Sequence, residues 1–300
     1  MYEDFCYKSG LGQPFPASRD FLLEFINYSH FAKNHCADTT LSLISILRKL
    51  HEFKFNTAHQ FDDPIVKRVL LGIKNKEAVN PRPASPRLAF NYAALTKLGH
   101  IVAQLPWPPE DRNSIWAAYL LIFWGSFRQG EVISTYANKP SFHTLRWNCV
   151  RKLAGQDGYM IHILAPKKDI KGLSVPLVPY KDHRYCPIFW LEKIKPQICD
   201  PNSFVFVFQS GKFISTSLMS KILTQVSTDL GTNGKFTGHS LRAAIPSLLS
   251  SHPDSFSERE IRNTGRWKSD TYEVYCRTKA VGAKATASKI HEIYDVNKKF

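Results

Sequence analysis

Six cysteines, at positions 6, 36, 149, 186, 199 and 276, contain no C-x-x-C pair. That removes a zinc ribbon and a disulfide framework from consideration and fits a reducing intracellular setting. Long apolar runs are also lacking. The most apolar stretch, IWAAYLLIFWGSF at 115–127, falls short of the roughly 20 residues a membrane-spanning helix needs and predicts a buried helix instead. The start, MYEDFCYKSG, is polar and carries no secretory signal. No internal repeat and no low-complexity tract interrupts the chain. Acidic residues are too few to balance the basic ones: 25 Asp+Glu stand against 40 Lys+Arg, a formal net charge of +15. Such a surplus predicts a polyanionic partner, and nucleic acid fits better than an acidic membrane surface.

At 300 residues, 43% apolar and 13% aromatic, the chain suffices for one large or two ordinary domains with real cores. Residues 1–80 read as a helical unit. PASRDFLLEFINYSHF and DTTLSLISILRKLHEF carry apolar positions at helical spacing, the second with Asp38, Thr39 and Thr40 as capping candidates. In DDPIVKRVLLGIKN, Asp63 is the expected N-cap and Pro64 the first helical residue. The cluster HFAKNHC at 30–36 has no second ligand pair at a metal-binding spacing, so its histidines are read as helix-surface residues.

The proline-rich stretch around residues 81–88 suits neither a helix interior nor a central strand and is the expected linker. Residues 89–300 form the second expected domain. FNYAALTKLGHIVAQL and RNSIWAAYLLIFWGSF read as helices, the latter apolar nearly all round and hence central to a core. TLRWNCV, YMIHILA and LSVPLVP read as three short strands joined through GQDG and KKDIKG. PIFWLEKI, STSLMSKILTQVS, HSLRAAIPSLLSS and SEREIRNT are again helical. The fold class expected is mainly α with a small antiparallel β-sheet.

Four stretches in the second domain carry chemistry. FRQGEVI places Arg128 at the end of the buried helix and Glu131 three residues on, which alone is an ordinary ion pair. PKKDIKG presents Lys167, Lys168 and Lys171 on a hairpin turn. GHSLRAA sets His239 and Arg242 three apart on one helix, pointing the same way, with Gly238 allowing a sharp entry. GRWKSDTYEVYCR at 265–277 sets Tyr272 and Tyr275 among Arg, Lys and Trp. Singly, each has a bland structural reading. Together they suit the cleavage of a phosphodiester, which requires cationic donors for the non-bridging oxygens, a nucleophile, and an acid for the departing oxygen. Arg128 and Arg242 supply planar, permanently charged forks. A tyrosine, with a reference pKa near 10, needs neighbouring positive charge to attack as phenolate.

This ordered set resembles the tyrosine recombinase (phage integrase) superfamily over about residues 89–280, where the family order is Arg, hairpin Lys, His-x-x-Arg, His or Trp, then Tyr. The run GRWKSDTYEVYCR is most similar to the eukaryotic DIRS, Ngaro and crypton mobile-element branch. The resemblance implies a two-domain architecture: a helical core-binding domain (1–80), a linker (81–88) and a catalytic domain with a helical tail (89–300). It implies that Arg128 and Arg242 clamp the scissile phosphate, that His239 assists, and that Trp267 positions the site. Tyr275, eight residues beyond Trp267, falls at the nucleophile position, whereas Tyr272 is a packing aromatic. Lys167 aligns with the acid, Lys168 and Lys171 remaining open, and Glu131 is structural.

Also implied are a 3′-phosphotyrosyl intermediate without metal, ATP or other cofactor, double-stranded DNA as partner, and a homotetramer on paired sites. No membrane partner is implied, and a eukaryotic element's recombinase would work in the nucleus. The tail, with Ile290, Ile293 and Tyr294 at helical spacing, suits docking on a neighbour or packing on its own domain equally. Arg48, Lys49, Lys67 and Arg68 are DNA-backbone candidates on the first domain. A type IB topoisomerase-like enzyme and a catalytically silent DNA-binding protein of the same fold are the alternatives.

Overall fold

Two sets of helices separate along the chain, in units spanning Met1–Ala84 and Ser85–Phe300. The protein is known from a computed structural model, which describes residues 1–81, 88, 90–155, 157–164, 172–198, 200–252 and 255–266.

In the first unit α1 (Tyr2–Lys8) is followed by α2 (Arg19–Asn27), whose free N-terminus is closed by Ser18. The chain runs on through a wide helical turn, Tyr28–Ala32, into α3 (Ala37–Phe55). The expected capping residues of α3 do not cap it. Cys36 occupies the N-cap, and the Ala37 N–H donates to Glu77 Oε2 at 2.8 Å, so a distant side chain does the work of a local cap. Thr40 lies buried inside the helix, its hydroxyl 3.1 Å from Ser29 Oγ. His30 is a second correction: it is buried rather than on the surface, with Nδ1 3.0 Å from the His35 carbonyl oxygen. Asp63 does cap α4 (Pro64–Val79), accepting from the Ile65 N–H at 2.7 Å, with Pro64 in the first turn. Phe5, Leu22, Phe25, Ile26, Leu47 and Val66 are among the side chains that form the core, each fully buried one contributing about 1.5–3 kcal/mol.

The second unit is organised around α6 (Pro109–Trp124), which follows α5 (Tyr92–Gln104). Every residue from Ser114 to Trp124 is buried, as an all-apolar helix requires. Its few polar groups are satisfied: Tyr119 donates to the Met219 carbonyl at 2.7 Å, and the Trp124 indole to the Tyr185 carbonyl at 2.7 Å. After a short helix, α7 (Gln129–Val132), comes an antiparallel sheet of β1 (Val150–Lys152), β2 (Tyr159–Ile163) and β3 (Leu173–Leu177), in the order β1-β2-β3. Val150 pairs with Ile161, and Ile161 with Val175.

The first strand is shorter than TLRWNCV suggests. Trp147 donates its N–H to the Ser203 carbonyl at 3.1 Å and Val205 donates to the Leu145 carbonyl at 3.0 Å, an isolated antiparallel bridge between Arg146 and Phe204. A single helical turn, Trp147–Cys149, then intervenes before β1. Tyr159 hydrogen-bonds Glu192 on α8 (Pro187–Ile194), which ties the sheet to the helices. Helices α9 (Thr216–Asp229), α10 (Gly238–Ser250) and α11 (Glu258–Gly265) complete the unit, and α6 packs against α5, α8 and α10. Among the described residues no helix is long and apolar enough to cross a membrane.

Candidate active site

The site begins where α6 must stop. A Cβ on Gly125 would lie 2.1 Å from the ring of Phe127, itself fully buried, so only glycine lets the chain fold back there. Ser126 takes a left-handed backbone (φ 48°), an uncommon conformation for a residue with a side chain. This reversal separates Arg128 from α6 and makes it the N-cap of α7. The Arg128 N–H donates to Glu131 Oε2 at 2.8 Å, and its Nη1 donates to Glu131 Oε1 at 2.6 Å. The Arg128 side chain stays 39% exposed while that of Glu131 is 7% exposed. One face of the guanidinium is therefore held and another is open to a ligand.

Helix α10 arrives against this turn. Thr237 caps it, and a Cβ on Gly238 would lie 2.5 Å from the Gln129 side chain. The glycine thus serves close approach between α10 and α7, and its φ is not in the left-handed region that a sharp entry would use. His239 is exposed near the start of α10, whereas Arg242, one turn on, is only 3% exposed. The two lie on one helix but at different depths. Arg242 Nη1 stands 3.8 Å from Glu131 Oε2, and its Nη2 donates to the carbonyl of Gly265, the last residue of α11.

Arg266 completes the cluster. It follows α11 in a left-handed conformation (φ 55°), and its Nη2 donates both to the Ser126 carbonyl, at 2.7 Å, and to Glu131 Oε2, at 2.9 Å. Its guanidinium also lies 4.9 Å from the ring centroid of Phe127. Burial raises the Glu131 carboxyl pKa, but the charge of Arg266 and the hydrogen bonds and charge of Arg128 outweigh it and hold the group below the usual glutamate range. Burial lowers the Arg266 pKa against the opposing pull of Glu131. One carboxylate faces three guanidiniums, so the cluster keeps a positive surplus that favours an anion.

The structure thus brings Arg128, Glu131 and Arg242 together, with His239 on the same helix as Arg242. Lys167, Lys168, Lys171, Trp267, Tyr272 and Tyr275 lie outside the described residues, as does most of the stretch 81–88. Sequence reasoning passed over Arg266. The available signal was a lone arginine directly after a helix-terminal glycine, inside a run already rich in charge. Among the described residues no group of His, Cys, Asp and Glu could hold a metal ion.

No protein-family model and no curated protein matches the sequence. Solved structures do. A post-cleavage complex of the XerH site-specific recombinase with palindromic difH substrate aligns with a TM-score of 0.51 at 16% identity, over 87% of this chain and 69% of that one. The XerH pre-cleavage complex aligns with a TM-score of 0.51 at 15% identity, over 87% and 67%. A Tn1549 transposon integrase in complex with circular intermediate DNA aligns less well, with a TM-score of 0.49 at 10% identity over 95% and 86%. At such identities the XerH likeness is one of fold: mainly α with a small antiparallel sheet, in the two-domain tyrosine recombinase architecture.

Proposed function

We propose that this chain is a site-specific DNA recombinase that cuts and rejoins strands through a 3′-phosphotyrosyl intermediate. The observation that carries this reading is the convergence of Arg128, from the turn after α6, and Arg242, from α10, on one buried carboxylate within a recombinase fold. Two guanidiniums held on a shared anchor suit the two non-bridging oxygens of a phosphodiester, whose charge grows during attack.

In the proposed reaction the Tyr275 phenol oxygen attacks phosphorus, its proton passing to His239. The P–O5′ bond breaks, Lys167 protonates the departing oxygen, and a 5′-hydroxyl is released. Trp267 packs and orients the site through an N–H that cannot titrate. Rejoining reverses these steps on a partner strand, and because the phosphoester is kept in the tyrosyl linkage it consumes no ATP. XerH is described as a site-specific recombinase bound to its substrate, which supports double-stranded DNA as the partner here. An origin in a mobile element of the DIRS, Ngaro and crypton kind rests on the GRWKSDTYEVYCR run and brings action in the nucleus with it. A tetramer on paired sites rests instead on the family resemblance and on the need to cut and rejoin two duplexes.

A nicked suicide substrate bearing the candidate site tests it. The expected result is a covalent protein–DNA adduct, lost in Tyr275→Phe and kept in Tyr272→Phe. Loss in Tyr272→Phe alone would move the nucleophile, and DNA binding without any adduct would leave a binding protein of this fold.

A further inference from the structure

We infer that Arg266 is a positioning residue for strand cleavage, acting through Glu131 and the Ser126 carbonyl to hold Arg128 in its phosphate-binding orientation; this rests on the recombinase reading. The argument starts from the two oxygens of Glu131. Oε1 receives Arg128 Nη1, and Oε2 receives both the Arg128 N–H and Arg266 Nη2. With Arg266 in place the carboxylate is held by a second guanidinium besides that of Arg128.

The same Nη2 holds the carbonyl of Ser126, the left-handed residue that turns the chain toward Arg128. A single guanidinium thus restrains both the backbone leading to Arg128 and the carboxylate that orients its side chain. Arg266 is itself left-handed, a conformation that persists in a non-glycine residue only where the surroundings over-determine it. Arg242 adds a second tie by donating to the carbonyl of Gly265. Nη2 of Arg266 is committed to two protein acceptors, the Ser126 carbonyl and Glu131 Oε2, which is the bonding a positioning residue requires. In sequence it immediately precedes Trp267 and lies nine residues before Tyr275. The restraint on Arg128 and the start of the segment bearing the proposed nucleophile therefore meet in one residue.

A double-mutant cycle on the full chain tests this, with single-turnover adduct formation on the nicked substrate and DNA affinity as the two readouts. Arg266→Gln is expected to slow adduct formation by about a hundredfold, the scale of a misplaced catalytic group, with DNA affinity unchanged. In an Arg128→Lys background, where the orientation of the fork is already lost, the same change should cost less than about fivefold. Arg266→Lys keeps the charge but lacks the planar fork, and should recover part of the rate.

An equal loss in both backgrounds makes Arg266 a merely structural residue and overturns the inference, as does an unchanged rate in Arg266→Gln. If Arg266→Gln does not fold, Arg266→Lys takes its place in the cycle, and a wild-type rate there overturns the inference equally. A wild-type protein that forms no adduct sinks the recombinase reading and this one with it. A wild type that forms adduct while the cycle shows no coupling sinks this one alone.

Discussion

Glu131 Oε2 and Arg266 Nη2 lie 2.9 Å apart, with side chains only 7% and 11% exposed, although the residues stand 135 positions apart in the chain. This pair joins the turn after α6 to the end of α11, and two further arginines share its carboxylate. Removing one member of a buried ion pair leaves the other uncompensated.

Glu131→Gln should therefore destabilise the protein by about 3 kcal/mol in urea unfolding, the low end for a broken buried pair. The figure is kept low because the Arg128 member is well exposed and partly screened. A pH dependence follows from the same residue. Its pKa is depressed in the folded state, so its contribution is fully present above the unfolded glutamate value of about 4.3 and is lost as pH falls through the folded value. Asp62 and Asp229 are depressed as well, so the difference between wild type and Glu131→Gln isolates the Glu131 part. That difference should shrink on acidification below about pH 4. A difference constant with pH would show that the carboxylate charge is not what stabilises the cluster.

Ser126→Gly should stabilise the protein slightly. The left-handed backbone costs a non-glycine residue about 1–2 kcal/mol, whereas glycine's looser unfolded chain costs about 0.5–1 kcal/mol. The Ser126 hydroxyl is buried and makes no hydrogen bond among the described residues, so nothing polar is lost. A rise in melting temperature of about 2 °C is expected. Gly125→Ala should do the reverse, because the new methyl meets the Phe127 ring at 2.1 Å, and such overpacking costs about 1–3 kcal/mol. A neutral Gly125→Ala would mean that Phe127 can move aside.

Much of the helical architecture was legible because burial leaves periodic marks. The unbroken apolar run of α6 could only be a core helix, and Asp63-Pro64 announces a helix start through local chemistry alone. What was missed depends on distant partners. The start of α3 is held by Glu77, and the residues just before β1 bridge to the distant stretch around Phe204 instead of to β2. At the candidate site Arg128 and Arg242 were legible as residue types suited to phosphate. The role of Arg266 was not, because it exists only through contacts with Ser126 and Glu131, which no spacing in the sequence reveals.

The two arginines proposed to clamp the phosphate should differ in what they cost. Arg128→Ala removes a half-exposed side chain and should lower adduct formation by about 10²–10³-fold with little loss of stability. Arg242→Ala removes a buried one, leaves the Gly265 carbonyl without that donor and takes a cation from Glu131. It should lose activity and about 2–3 kcal/mol of stability together. Adduct assays alongside urea melts check this. An Arg242→Ala protein as stable as wild type would mean that the buried guanidinium is dispensable for the fold.

On the first unit the DNA candidates divide by the company they keep. Arg48 donates to both oxygens of Asp62, at 3.1 and 2.7 Å, and Lys67 Nζ lies 2.9 Å from the same carboxylate. Lys49 and Arg68 are exposed. A cation that neutralises a phosphate contributes about 0.9 to the slope of log affinity against log salt. One that must first leave Asp62 contributes less net affinity. Fluorescence anisotropy on duplex DNA between about 50 and 200 mM salt should therefore show Lys49→Ala and Arg68→Ala each flattening the slope by nearly one. Arg48→Ala and Lys67→Ala should weaken binding less. Asp62→Asn, which takes the shared carboxylate from both cations and leaves Arg48 its bond to Glu52 Oε1 at 3.0 Å, should raise affinity and steepen the slope. If Asp62→Asn leaves DNA affinity unchanged at every salt concentration, this face of the helical unit does not meet the DNA backbone.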